Sequence, residues 1–408
     1  MNKPDVHISD FDYVLPDDRI ARFPLEQRDG SKLLIYKKGQ IRDTIFRNIV
    51  DYFAKDDLLV FNNTRVIQSR FLFRKPTGAP VEIFCIEPSD PADYQQSLQS
   101  KCQVTWQCLI GNAKRWKKGL LAKTVDHKDG RITVLAEKLE KYDTSWLVRF
   151  SWQPDNYTFA KILEIAGLIP IPPYLKREPV PEDKITYQTV YSSIYGSVAA
   201  PTAGFHFTRE ILDELKRNGV PGLELTLHVG AGTFRPVLSS EIHSHIMHSE
   251  HVYFNKSKIR VLLEHNGKIT SVGTTSARLL ETIYWIGCKI KQNSSMDPET
   301  LFLKQWEDQN IVPVTKEASL ETLLDYSERN SIRDFHVNTR LMIVPGYRYH
   351  MTDQIITNFH QPKSTLLLLI SAFIGDDWRK VYDYALKNNF RFLSYGDSSL
   401  LIPDFSIL

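Results

Sequence analysis

The sequence predicts a mixed-sheet α/β main domain interrupted by a small antiparallel β-barrel. Three observations carry that prediction. Strand-like apolar runs alternate with amphipathic helical patterns through residues 1–70 and 154–408, as in an α/β layer. Between them, over residues 71–153, short runs are separated by turn residues with no helical period, which is how a barrel or sandwich reads. At 408 residues the chain is also long for one domain.

Taken in order, LLVF at 58–61 is a buried-strand run followed by the polar turn NNTR. Within 71–153, VEIFCI, VTWQCLI, RITVLAEKL and SWLVRFSW are strand-like, and KKG and KDG mark two turns. YTFAKILEIAG has helical spacing and stops at Gly167. The proline-rich IPIPPYLKREPVPED must run extended. TREILDELKRNG is a helix with Thr208 as N-cap and Gly219 past its end. LELTLHVG is a strand. KITSVGTTSARLLETIYWIG is a strand, a hydroxyl-rich turn and a helix, and TRLMIVPGY and DQIITNFH are strands feeding loops. Residues 291–340 are mixed and polar, with a helical ASLETLLDYSER, and read as a peripheral elaboration.

Composition narrows the class. Hydrophobic residues at 42% and charged residues at 24% are those of a soluble globular chain. A net charge of +3 neither demands nor excludes nucleic acid. Cys85, Cys102, Cys108 and Cys288 form no CxxC, which points to a reducing cytoplasm. MNKPDVHISDFDYVLP lacks the apolar core of a signal peptide. The longest apolar run, TLLLLISAFI, is about half the roughly 20 residues of a membrane span, so no membrane association is expected.

Five loops mix glycine or hydroxyl residues with His, Arg or Asp: PTAGFHF, LHVGAGTFRPV, VGTTSAR, TNFHQPKST and SYGD. At the ends of α/β strands such loops build polar small-molecule sites. HVGAGTF lacks the third glycine of a dinucleotide fingerprint, and alone it reads as a tight turn. GTTSAR offers hydroxyls and backbone N–H groups to an anion, although a hydroxyl N-cap explains it equally well. Asn358 and His360 have no capping duty. Tyr395 and Asp397 lie on a glycine turn, where an Asp-stabilised turn is the plain alternative.

HSHIMHSEH, residues 243–251, holds four histidines. It lacks the HExxH of a zincin and any CxxC partner, so no metal is expected. His243 and His251 suit a solvated loop, whereas His248 and Glu250 are acid/base candidates. In the barrel, Lys114, Arg115, Lys117 and Lys118 surround Trp116. Arg65 and Arg70 add charge at its start. Cations meet phosphates and an aromatic can stack on a base, against the alternative of a solvated hairpin turn.

Together, FDYVLPDDRIARFPLEQRDGSKLL, LVFNNTRVIQSR, IPPYLKRE, YQTVY, AAPTAGFHFT, LHVGAGTFRPV, MHSE, VGTTSAR, TNFHQPKSTLLLLISAF and RFLSYGDSSLL resemble the S-adenosylmethionine:tRNA ribosyltransferase-isomerases of queuosine biosynthesis. The resemblance runs in order from about residue 10 to 402 and is weakest across 85–150 and 286–340. It implies an α/β domain with a β-barrel and a ribosyl donor role for S-adenosylmethionine. The acceptor is 7-aminomethyl-7-deazaguanine at the wobble position of tRNA with a GUN anticodon. The products are epoxyqueuosine-tRNA, adenine and methionine. It implies no metal and no obligatory protein partner.

That chemistry assigns expected roles. His206, His228, His248 and His360 suit the proton transfers, and Glu250 or Asp397 would meet the sulfonium. Arg235, Arg278, Thr202, Thr274, Thr275 and Ser276 would hold the methionine carboxylate or ribose. Gly204, Gly230 and Gly232 would allow close approach, with Asn358 and Tyr395 completing the cofactor contacts. A tRNA methyltransferase using the same cofactor, a metal-dependent hydrolase using the 243–251 histidines and a non-catalytic RNA-binding module are the competing classes.

Overall fold

The computed structural model describes residues 6–117, 119–128, 130–142, 145–230 and 241–404. The chain divides into two compact units. One comprises Met1–Asn63, Gln188–Ser192 and Pro201–Leu408, and the other Thr64–Tyr187 and Ser193–Ala200.

The first unit is built on a ten-stranded mixed sheet. Across it lie Phe302–Leu303, Asp334–Thr339, Glu250–Asn255, Gly222–His228, Leu58–Asn62, Ile269–Val272, Gln354–Asn358, Ser398–Ile402, Lys32–Lys37 and Gln40–Ile45. Leu58–Asn62, Ile269–Val272, Gln354–Asn358 and Ser398–Ile402 are buried at every residue. Near-continuous apolar runs suit strands covered on both faces. The helix Arg209–Arg217 starts where the Thr208 side chain accepts from the Ile211 N–H. Its Ile211 and Leu215 pack with Phe207, Leu33, Leu59 and Phe61.

The helix Thr274–Gln292 is buried along almost its whole length. It packs against Lys316–Arg329, where Gly287 is required: a Cβ there would lie 2.2 Å from Ser319 Oγ. Residues 291–340 are therefore no peripheral elaboration. Phe302–Leu303 and Asp334–Thr339 extend the sheet, and Leu320, Leu323 and Tyr326 are buried. Polar residues interleaved with that apolar stripe disguise it in the sequence.

The second unit holds a six-stranded antiparallel sheet in the order Arg70–Arg74, Pro80–Asp90, Gln103–Gly111, Ser145–Gln153, Gly130–Tyr142, Leu120–His127. Its first and last strands lie against each other, so the sheet curls into a nearly closed barrel. Inward residues alternate along each strand, as in Val81, Ile83 and Cys85. The helix Phe159–Ala166, capped by Thr158, belongs to this unit. Its Phe159, Ile162, Leu163 and Ala166 share the core of Phe71, Trp106, Phe150 and Trp152. Ring centroids of Phe159 and Trp152 are 5.6 Å apart. The compact unit thus runs past residue 153, because this helix finds its apolar partner in the barrel. A shorter parallel ladder pairs Thr64–Val66 with Ile194–Ser197.

Phe159→Ala should cost about 3–5 kcal/mol of stability by cavity formation, measured by denaturant unfolding. A cost below about 1 kcal/mol would remove the helix from the barrel core.

Candidate active site at one edge of the sheet

Strand direction gathers the polar loops. Leu58–Asn62, Gly222–His228, Ile269–Val272 and Gln354–Asn358 run parallel, so Asn62, His228, Val272 and Asn358 end at one edge. Ser398–Ile402 and Glu250–Asn255 run the other way and begin there, with Ser398 opposite Asn358 and His251 opposite His228. The turn Thr202–His206 joins them, its Ala203 Cβ lying 3.6 Å from where a Cβ on Gly273 would sit.

One cluster is centred on His206. Asn358 Oδ1 accepts from Thr202 Oγ1 at 2.9 Å, and Asn358 Nδ2 approaches His206 Nε2 at 3.1 Å. The amide thus donates to Nε2, so the imidazole proton sits on Nδ1 and is given to Ser31 Oγ at 2.7 Å. Both ring nitrogens are occupied. Burial, then the charges of Arg391 and Arg28, lower the His206 pKa to about 3. Burial likewise holds His228 at about 3, with His251 adding to it, and His360 at about 3. His360 is pinned further: its Nε2 meets Thr357 Oγ1 at 3.0 Å, its N–H donates to Tyr382, and Tyr13 donates to its carbonyl. Burial thus favours the neutral form of all three imidazoles.

His248 differs. It is half-buried, and its Nε2 lies 3.1 Å from Glu250 Oε1. Glu250 is 1% exposed and is also paired with Arg278. Burial alone would push the Glu250 carboxyl up, but the Arg278 charge and the His248 hydrogen bond outweigh it and hold it below its ordinary range. Gly230 lies beside this chain, where a Cβ would sit in ordinary contact with His248 Cδ2 at 3.5 Å.

Arg278 lies in the second turn of Thr274–Gln292. That helix starts at Gly273, φ +93°, with no side-chain capping bond. The hydroxyls of GTTSAR are therefore not caps. Ser276 Oγ donates back to Val272 O at 2.8 Å and is spent there. Among the described residues, Thr275 Oγ1 and Arg278 Nε are buried without a hydrogen-bond partner, while Thr274 occupies the first turn beside them.

Other predicted residues make contacts within the protein. Gly204 is a packing notch, because a Cβ would fall 1.8 Å from Tyr191 Oη. The Asp397 carboxylate is consumed by the backbone N–H groups of Lys32 and Arg391 and by the Arg391 guanidinium. Tyr395 stacks on Phe205 at 5.7 Å, and the Arg28 guanidinium lies 5.9 Å from the Phe205 ring. Gly232, Arg235 and Lys118 lie outside the described residues, as does the Arg115 side chain. His243 pairs with Glu241 away from Glu250. Among the described residues no group of three or more His, Cys, Asp or Glu side chains is placed to hold a metal, and no helix is long and apolar enough to cross a membrane.

In the barrel unit, Lys114 and Lys117 are exposed, but Trp116 is not a stacking surface. Its indole is buried in the barrel core, its Nε1 donates to Gly119 O at 2.9 Å, and Lys138 lies over the ring. A large apolar ring in a basic turn was buried rather than offered. Arg70 pairs with Glu82 at 2.8 Å. Residues without a sequence signal include Ser31, 175 positions from its partner His206, and Asn62, whose side chain bonds Leu227 N and O and so prolongs the ladder.

A mixed α/β sheet with one loop-lined edge, a buried charge chain and, among the described residues, unpartnered donors there defines an enzyme-type scaffold for a polar ligand. Residues 8–401 match the family model described as queuosine biosynthesis protein. The chain belongs to that family. It is 34% identical over 403 residues to the S-adenosylmethionine:tRNA ribosyltransferase-isomerase of Trichlorobacter lovleyi, covering 97% of this chain and 99% of that one. The proteins of the same name from Halothermothrix orenii and Thermotoga petrophila are 35% and 36% identical at the same coverage. The crystal structure of the S-adenosylmethionine tRNA ribosyltransferase of Thermotoga maritima is 26% identical, covering 97% of this chain and 100% of that one, at a TM-score of 0.45.

The buried histidines make stability depend on pH. An unfolded imidazole titrates near about 6.5, and these three at about 3 when folded. Between those values the unfolded chain binds more protons, so stability is fully present above about pH 6.5 and is lost as pH falls toward 3. His360→Gln should make the fall in unfolding free energy between about pH 7 and 5 shallower. An unchanged slope in denaturant titrations would show that His360 is not held neutral.

Proposed function

We propose that this chain is the S-adenosylmethionine:tRNA ribosyltransferase-isomerase of queuosine biosynthesis. It transfers and isomerises the ribosyl moiety of S-adenosylmethionine onto 7-aminomethyl-7-deazaguanine at the wobble position of GUN-anticodon tRNA. Epoxyqueuosine-tRNA, adenine and methionine are the products. The observation that carries this reading is the match along 97% of the chain to enzymes of that name, and the His248–Glu250–Arg278 chain at the sheet edge supports it.

When bound, S-adenosylmethionine supplies the ribosyl carbons, a sulfonium that acidifies the adjacent C–H, and adenine as leaving group. The residues present fit such a ligand. Thr275 Oγ1 and Arg278 Nε are buried donors with no hydrogen-bond partner among the described residues, at the positive end of a 19-residue helix. Such a terminus favours a carboxylate. Thr202 and Asn358, linked through one hydrogen bond, present polar atoms along the same edge. Ionised Glu250 accepts from His248 Nε2–H, which leaves Nδ1 as the unprotonated nitrogen. His248 is thereby the general base, and its conjugate acid can return the proton to the leaving group. Arg278 keeps Glu250 ionised, and so fixes the tautomer. His206, His228 and His360 act by holding loops.

The barrel unit supplies the tRNA contact. Of the cations singled out in the sequence, Lys114 and Lys117 are exposed and Arg65 is partly exposed. The enzyme is cytoplasmic and needs no metal and no protein partner.

Incubation with S-adenosylmethionine and tRNA bearing 7-aminomethyl-7-deazaguanine, followed by mass spectrometry, should yield adenine, methionine and epoxyqueuosine. S-adenosylhomocysteine in their place would make the chain a methyltransferase. His248→Ala should lower kcat by about 10²–10⁴-fold with little change in KM. His248→Ala turnover within about threefold of the parent would exclude it as the base.

A further inference from the structure

With Trp116 in the core, the barrel unit needs another surface if it is to meet a base. Among its described residues, the large aromatic side chains exposed to solvent are Tyr142 and Tyr195. Of these two, Tyr195 has a cation on its face. It is 48% exposed, and the Arg65 guanidinium lies 5.2 Å from its ring centroid.

The pairing is built into the backbone. Arg65 and Tyr195 are register partners in the short parallel ladder of Thr64–Val66 and Ile194–Ser197. The register shifts between Tyr195 and Ser197, around Gly196 at φ +145°. Bulges of this kind re-aim a side chain, and the dihedral suits glycine. The ladder has two strands, so each is an edge. Charge points the same way. Arg70, Arg131, Arg149 and Arg177 of this unit each pair with a carboxylate, whereas Arg65 has no such partner among the described residues. A guanidinium stacked on a ring keeps its N–H edges free for a planar or tetrahedral anion, and the ring presents a π face to any base.

We propose that Arg65 and Tyr195 form a stacking platform for an unpaired nucleotide of the tRNA, with Arg65 meeting an adjoining phosphate. This rests on the tRNA-modifying function proposed above. A nucleotide uses both halves of the pair, the base on the ring and the phosphate on the guanidinium. An acidic peptide would use the cation alone.

The test uses the full-length chain and a transcribed tRNA with a GUN anticodon, with binding measured by fluorescence anisotropy at several salt concentrations. Tyr195→Ala should weaken binding about 5- to 100-fold, and Tyr195→Phe should stay within about twofold of the parent. Neither change should move the KM for S-adenosylmethionine. Arg65→Gln should lower the slope of log affinity against log salt by about one, and Tyr195→Ala should leave that slope unchanged. Binding by Tyr195→Ala equal to the parent's would overturn the platform, as would a Phe variant as weak as the Ala variant. If the parent chain itself fails to bind the transcript at low salt, the tRNA reading falls and the platform with it. That outcome is distinct from loss of the platform alone.

Discussion

The site depends on one buried charge. Glu250 is 1% exposed, and an ionised carboxylate out of water is tolerated only when paired and hydrogen-bonded. Arg278 and His248 supply that pairing. The three residues come from different elements: Glu250 opens a strand, Arg278 lies near the start of a long buried helix, and His248 sits on the loop before the strand. Removing one member of such a pair costs about 3–5 kcal/mol because the survivor is stranded. The same charge therefore fixes the loop, the helix start and the orientation of the half-buried imidazole.

Four histidines lie near the same edge, yet their environments separate them. His206, His228 and His360 are enclosed, and burial drives each to the neutral form. A base that titrates near 3 holds a proton too weakly for work at neutral pH. His248 keeps access to solvent and is oriented by a carboxylate, the combination that proton transfer requires. The hydroxyls divide in the same way. Ser276 is turned back onto the end of the preceding strand, while Thr275 Oγ1 has no hydrogen-bond partner among the described residues.

Much of the fold was legible because it depends on local periodicity. The strand at 58–61, the Thr208-capped helix and the alternating barrel strands follow from spacing and caps. That Gly222–His228, Ile269–Val272 and Gln354–Asn358 end at one edge was legible as well, since alternating strands and helices favour parallel strands. Burial and long-range pairing were not. Trp116 looked like a stacking ring because its neighbours are lysines, and only the barrel core shows where the indole goes. Asp397 looked like a ligand contact until Lys32 and Arg391 consumed its oxygens. Ser31 carries no pattern of its own, because its role exists only through His206. The outer strand Asp334–Thr339 was hidden because Asp334, His336 and Asn338 face solvent between its buried residues.

Hydrogen–deuterium exchange with and without S-adenosylmethionine would test the central claim most directly. The account predicts new protection at residues 248–251 and 273–279, the segments that carry His248, Glu250 and Arg278, with the barrel strands unchanged. Protection confined to the barrel, with no change at the start of the Thr274–Gln292 helix, would contradict it.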